Sequence, residues 1–202
     1  MASKHASKTE LRAKHFAALR SWPATKKAAA SARIREALRT WLRENRHSTV
    51  AAFVHLPSEP DLDALIFSDG ATLGTETWFL PRVEAEGLAF FDCAGKIAHL
   101  APGAFGIREP DPGRCLRADP SLATVILIPG VGFDPETGAR LGRGKGHYDR
   151  FLAGLELRPG RRPFRIGVCF ELQLGPIPSE PHDRPMDAIV TEAGFHFPTQ
   201  QG

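Results

Sequence analysis

Cysteine is scarce in this chain. The three present, Cys93, Cys115 and Cys169, lie far apart and in no CxxC pattern. That spacing argues against a structural zinc site or a disulfide framework, and fits reduced thiols in the cytoplasm. No apolar run approaches the ~20 residues needed to span a bilayer. The opening stretch MASKHASKTELRAKH also lacks the apolar segment of a secretory signal. A cytoplasmic protein with no membrane partner is therefore expected. Internal repeats and low-complexity linkers are absent. So are two common nucleotide signatures: no G-x-x-x-x-G-K-[ST] exists, and a G-x-G-x-x-G begun at Gly142 would end on His147. No Ser-His-Asp or Cys-His arrangement offers a covalent nucleophile, and no RNP-like aromatic segment points to RNA.

What is present is enough for one good-sized core. At 202 residues about 70% of the unfolded surface can be buried, so 1–202 reads as a single domain. Its first 46 residues form a basic helical segment packed on the rest. They hold 12 Lys/Arg against 3 Asp/Glu, while the remaining 156 hold 14 against 20. A basic end on an acidic body suggests an anionic partner. Leu11, His15, Phe16 and Leu19 make a stripe on a helix over 7–20. Pro23 suits the first turn of a second helix, whose Ile34, Leu38, Trp41 and Leu42 form an amphipathic face. Asp61 can cap a helix over 62–70. Apolar runs predict strands at 48–56, 76–81, 88–92, 123–128, 162–170 and 187–192. The Gly/Pro-rich 101–113 reads as loop. The alternation of strands and helices, with the strongest strands apolar throughout, predicts an α/β fold. Its sheet is mostly parallel with helices on both faces.

The chemistry concentrates in GARLGRGKGHYDRFL, residues 138–152. Gly142, Gly144 and Gly146 alternate among Arg140, Arg143 and Lys145, between the strand at 123–128 and a helix from about 146. Glycines let backbone approach a ligand, and the helix N-terminus offers unpaired N–H groups. The cations add charge-assisted donors. Together they describe a polyphosphate cradle. Asp149, in the first turn of the helix, is a candidate Mg²⁺ ligand, and Asp183 in SEPHDRPMD is a candidate second carboxylate. His182 beside it reads as a loop residue.

The stretch LIPGVGFDPETGARLGRGKGHYDRFL, residues 127–152, resembles the signature of the 5-formyltetrahydrofolate cyclo-ligase (5,10-methenyltetrahydrofolate synthetase) family. KTELR, HLPSEPD, GAFGIREP, IGVCFELQ and PHDRPMDAIVTE follow in that family's order. The resemblance implies a monomeric ligase of one-carbon metabolism with two small-molecule partners, a reduced folate and ATP, and with Mg²⁺ as cofactor. In that reaction ATP phosphorylates the formyl oxygen of 5-formyltetrahydrofolate, N10 attacks the formyl carbon, and phosphate leaves as the ring closes. Carried over, Lys8, Arg12, Arg140, Leu141, Gly142, Arg143, Gly144, Lys145, Gly146, His147 and Tyr148 bind ATP. Val54, Glu59, Arg143, Gly144, Lys145, Gly146 and His147 bind the folate. Arg143, Lys145, His147 and Tyr148 carry the catalysis, and Asp149 and Asp183 hold the metal. Trp78 and Phe79 either stack on the folate or join the core. His147 stands where the family usually has a tyrosine, which suggests activity sensitive to pH near neutrality. Two other readings stay open: a related enzyme that phosphorylates a different amide or carbonyl, and a non-catalytic RNA-binding relative.

Overall fold

The structure is a computed structural model that describes residues 6–67, 77–103, 106–158, 160, 162–180 and 183–199. Ser7 starts α1 (Lys8–Ser21) with a reciprocal capping box to Glu10, which satisfies two otherwise unpaired N–H groups. The expected stripe is inward, with His15 and Leu19 buried. Pro23 is the N-cap of α2 (Ala24–Glu44) rather than a first-turn residue. Its missing N–H costs little there, because the helix start has no acceptor for it. Ile34, Leu38 and Leu42 of α2 are fully buried.

Two elements are shorter than their apolar patterns suggest. β1 (Thr49–Ala51) ends early, and Phe53 to His55 already belong to the loop that leaves the sheet. α3 (Asp63–Ile66) is a single turn, and residues 68–70 of the expected helix lie outside the described residues. Leu62 holds its N-cap position, yet Asp61 still supports the turn by accepting the Asp63 N–H at 2.8 Å. β2 (Thr77–Glu84) and β3 (Gly87–Asp92) then pair antiparallel. The Gly/Pro-rich stretch read as loop contains a small hairpin, β4 (Leu100–Pro102) with β5 (Arg108–Pro110), which sets Ala101 opposite Glu109. Its register escapes the pattern because three-residue strands have no room for an alternation. The chain continues through β6 (Leu116–Ala118), β7 (Val125–Pro129), the hairpin β8 (Gly132–Phe133) with β9 (Arg140–Leu141), and α4 (His147–Glu156). It ends with β10 (Phe164–Val168), β11 (Ala188–Thr191) and β12 (Gly194–His196).

Eight strands form one sheet in the order β12-β11-β10-β7-β1-β2-β3-β6. The central pairings β11/β10, β10/β7, β7/β1 and β1/β2 are parallel, and the flanking ones antiparallel. Val125 and Leu127 point into a core shared with α2, while Ile126 and Ile128 point into a second core shared with α4. Both faces of β7 are therefore covered, which is why it reads as an unbroken apolar run. The mostly parallel α/β expectation is borne out. From β1 the chain moves to β2 on one side and later returns to β7 on the other. The carboxyl ends of β1 and β7 thus flank a topological switch point, where open α/β sheets bind ligands.

Leu38 sits at the centre of the α2 face and has no solvent exposure. Leu38→Ala is expected to lower the unfolding free energy by about 2–5 kcal/mol, as read from urea denaturation.

Candidate active site

A cavity of about 480 Å³ opens at the switch point. Val54, Leu56 and Glu59 line it from the loop after β1, and Pro129 and Gly130 from the end of β7. Pro81, Val83 and Leu88 supply an apolar wall from β2 and β3, with Ile107 and Glu109 from the β5 region. The opposite wall is the glycine-rich segment, from Arg140 and Gly142 through Asp149.

That segment is pinned at both ends. Arg140 is buried on β9, donates to Pro129 O at 3.3 Å, and pairs with Asp149 Oδ1 at 2.8 Å. Its guanidinium also lies over the Tyr148 ring, 5.6 Å from the centroid. Leu141 is fully buried with Val131, Ala139 and Ile177, against Leu11 and Phe16 of α1. Between these anchors Gly144 and Gly146 take φ of +91° and +65°, a region costly for side-chain-bearing residues. Gly146 is the N-cap of α4 and offers no side-chain cap, so the first N–H groups of the helix stay available to a ligand.

α1 braces this arc from outside. Arg12 Nε donates to Gly142 O at 2.8 Å. Lys8 Nζ bonds Asp183 Oδ2 at 2.7 Å and lies 3.2 Å from Glu180. These carboxylates hold the Lys8 ammonium above its usual pKa against the opposing cost of burial, which is the largest single influence. Phe16 lies under the Arg143 guanidinium at 5.2 Å. Arg143 reaches across the cavity to Glu59, with Nε 3.3 Å from Oε1, and donates to Ser58 Oγ at 2.6 Å.

Glu59 is buried and accepts the Leu56 N–H at 2.9 Å. Burial raises its carboxyl above the ordinary value, opposed by that N–H and by Arg143. The loop that carries it is clamped where His55 Nδ1 approaches Asp63 Oδ1 at 3.3 Å and Asp61 Oδ1 at 3.6 Å. The nearby Asp63 carboxylate is the main cause that raises His55 from its ordinary value. Tyr148 is pushed up by burial, then by the Glu59 charge, and so remains a neutral hydroxyl donor. His147 moves the other way. Burial first, then Arg150 and Lys145, lowers it from 6.5. Its titration thus falls on the acid side, away from the neutral range that a histidine at this position suggests.

The cavity gathers most of the expected residues: Val54, Glu59, Arg140, Gly142, Arg143, Lys145, Gly146, His147, Tyr148 and Asp149. Gly144 lies within the arc, about 3.8 Å from the Arg12 guanidinium measured from an added Cβ. Leu141 turns its side chain into the core, so only its backbone faces the arc. Trp78 and Phe79 are core residues, one on each face of the sheet, and do not line the cavity. The β2 residues that do are Pro81 and Val83, where the sheet face is left open. Lys8, Arg12 and Asp183 stand behind the arc rather than on the cavity wall. His182 lies outside the described residues. Asp149 Oδ2 faces the cavity and makes no hydrogen bond among the described residues, whereas Asp183 has its Oδ2 engaged by Lys8 Nζ and the Glu180 N–H. The Asp149 carboxylate fits Mg²⁺, which takes one or two carboxylates and completes its shell with water and phosphate oxygens. Glu109 was missed, since nothing in its local sequence marks it as buried.

The Glu59 shift has a stability consequence. A raised pKa means that stability present below about 4.5 is lost as pH rises through the folded value. A neutral amide escapes that loss, and Arg143, 39% exposed, stays hydrated without its partner. Glu59→Gln is therefore expected to melt at or above the wild-type temperature at pH 7. The advantage should shrink toward pH 4.5, as followed by thermal scans at both values.

The 5-formyltetrahydrofolate cyclo-ligase family model matches residues 4–192. A 5-formyltetrahydrofolate cyclo-ligase of Mycolicibacterium smegmatis is 37% identical over 77% of this chain and 80% of its own length. The enzyme of that name from Saccharomyces cerevisiae is 40% identical over 101 residues, 48% of this chain and 46% of its own. Among solved structures, a 5,10-methenyltetrahydrofolate synthetase of Aquifex aeolicus superposes with a TM-score of 0.78 at 29% identity, covering 96% of this chain and 94% of that one. A family match over nearly the whole chain, together with a glycine arc facing a buried carboxylate across one cavity, shows that this protein belongs to the 5-formyltetrahydrofolate cyclo-ligase family.

Proposed function

We infer that the chain performs its family's reaction, the ATP-dependent ring closure of 5-formyltetrahydrofolate to 5,10-methenyltetrahydrofolate. The observation that carries this reading is a single cavity with two chemically distinct walls. One is the cationic glycine arc with the open N-terminus of α4. The other is apolar and carries Glu59.

In this reading the phosphates of ATP lie along residues 140–148, braced by Lys8 and Arg12. The backbone N–H groups at the start of α4, with Arg143 and Lys145, stabilise charge on the transferring phosphoryl group. Phosphoryl transfer asks a protein mainly for such positioning and neutralisation. Asp149 and Asp183 would hold Mg²⁺, which supplies further neutralisation of the phosphates. Glu59 accepts N–H bonds from the pterin, and the apolar wall excludes water from the activated formyl group. The formyl oxygen takes the γ-phosphoryl group, N10 attacks the formyl carbon, and phosphate departs. The neutral His147 and Tyr148 stand beside the transferred group as hydrogen-bonding partners. No helix among the described residues is long and apolar enough to cross a membrane. The free, buried thiols of Cys93, Cys115 and Cys169 suit a reducing compartment such as the cytoplasm.

Purified protein with 5-formyltetrahydrofolate and Mg-ATP is expected to yield the methenyl product, followed by its near-ultraviolet absorbance. Lys145→Ala and Asp149→Asn should each lower kcat by about 10²-fold or more, the scale for losing one transition-state contact. Absence of product while ATP still protects the protein against heat would refute the folate assignment. Because the His147 pKa is lowered from 6.5, the imidazole is neutral from pH 7 to 8. His147→Tyr should therefore change the pH profile of kcat/KM only below about pH 6.5, on the acid limb.

A further inference from the structure

Beside Glu59 and Asp149 the cavity contains a third carboxylate, which their contacts leave unused. Glu109, on β5, is 4% exposed at its side chain and lines the cavity beside Ile107, Val83 and Leu88. Its carboxylate accepts no hydrogen bond among the described residues. The nearest cation, Arg82 Nη1, is 3.9 Å away, beyond hydrogen-bond reach, and donates instead to Pro110 O at 2.9 Å. Glu59 differs, because both of its oxygens already have donors, Leu56 N–H and Arg143. The backbone makes room for Glu109. A Cβ on Gly103, across the hairpin, would come within 2.6 Å of its Oε2 and closer still to Cγ and Cδ.

A buried carboxylate with no donor is costly, and such groups call for a specific explanation. An apolar surrounding gives it none, but a ligand in the cavity can. We propose that Glu109 is a specificity-determining residue that accepts a ring N–H of the substrate and so selects the reduced pterin over the oxidised one. An ionised carboxylate can only accept. The reduced ring presents N8 as an N–H donor, whereas the oxidised ring presents it as a lone pair. Glu109 thus rewards the first and repels the second, and a site built to hydrogen-bond one form discriminates strongly against the other. The inference deepens the functional reading above and rests on it.

The test is equilibrium binding of 5-formyltetrahydrofolate and of fully oxidised folic acid to the wild type and to Glu109→Gln and Glu109→Ala, with steady-state KM values alongside. Glu109→Gln keeps the shape, removes the charge and adds a donor. It is expected to weaken 5-formyltetrahydrofolate by about tenfold, the order for one charge-assisted bond. Folic acid should weaken less or tighten, so that the preference for the reduced ring falls, while the KM for ATP stays at the wild-type value and the melting temperature does not fall. Glu109→Ala should lose the same preference. Variants that keep the wild-type ratio of the two affinities would overturn the inference, as would a KM for ATP that rises and a melting temperature that falls together with folate affinity. A wild type that binds neither pterin would bring down the functional reading itself, and this inference with it.

Discussion

The geometry of the site depends on the ion pair between Arg140 and Asp149. The two residues bracket the glycine segment, one on β9 and the other in the first turn of α4, and their 2.8 Å contact closes it into an arc. The importance of the pair is positional. A buried ion pair adds little net stability once desolvation is counted, but it fixes where the three glycines and two cations between its members must run. It also resolves an electrostatic conflict. An acid in the first turn of a helix complements the dipole and would blunt its attraction for another anion. With Arg140 against it, the carboxylate is offset, and the N-terminus of α4 keeps its pull on phosphate.

The second constraint is α1. The charge excess of the first 46 residues looks like a general polyanion surface, yet Arg35 is tied to Asp61 O and two further cations are committed at the site. Arg12 is tied to the glycine arc and Lys8 to the Asp183 loop. Many others, such as Lys26, Arg33 and Arg43, are solvated. Nucleic-acid binding would need cations spread along a face, whereas these converge on one site.

Much of the glycine arc was legible because it is local. Glycines, cations and the helix start fall within a dozen consecutive residues, so spacing alone describes the cradle. The wall that carries Glu59 was legible only through likeness to a family. Glu59 sits in a Pro-rich loop and reads as solvated; its burial comes from residues distant in sequence, including Arg143. Glu109 was harder still, because a short Gly/Pro-rich hairpin hides a strand, and the wall that buries the carboxylate comes from β2 and β3. Trp78 and Phe79 drew attention as aromatics, but the start of β2 is covered on both faces and sends them into the two cores. The short extents of β1 and α3 were equally hidden, since an apolar run does not say where the chain leaves its sheet.

The brace of α1 against the site has a consequence for how the protein is made. Arg12 waits for a partner 130 residues downstream and Lys8 for one 175 residues downstream. A chain emerging from the ribosome at roughly 5–20 residues per second completes its first helix long before Gly142 or Asp183 has been translated. The first helix is thus the first part synthesised and among the last to find its contacts. Chains interrupted before residue 142 leave the ribosome with a first helix for which neither partner yet exists, and those interrupted between 142 and 183 lack the partner of Lys8.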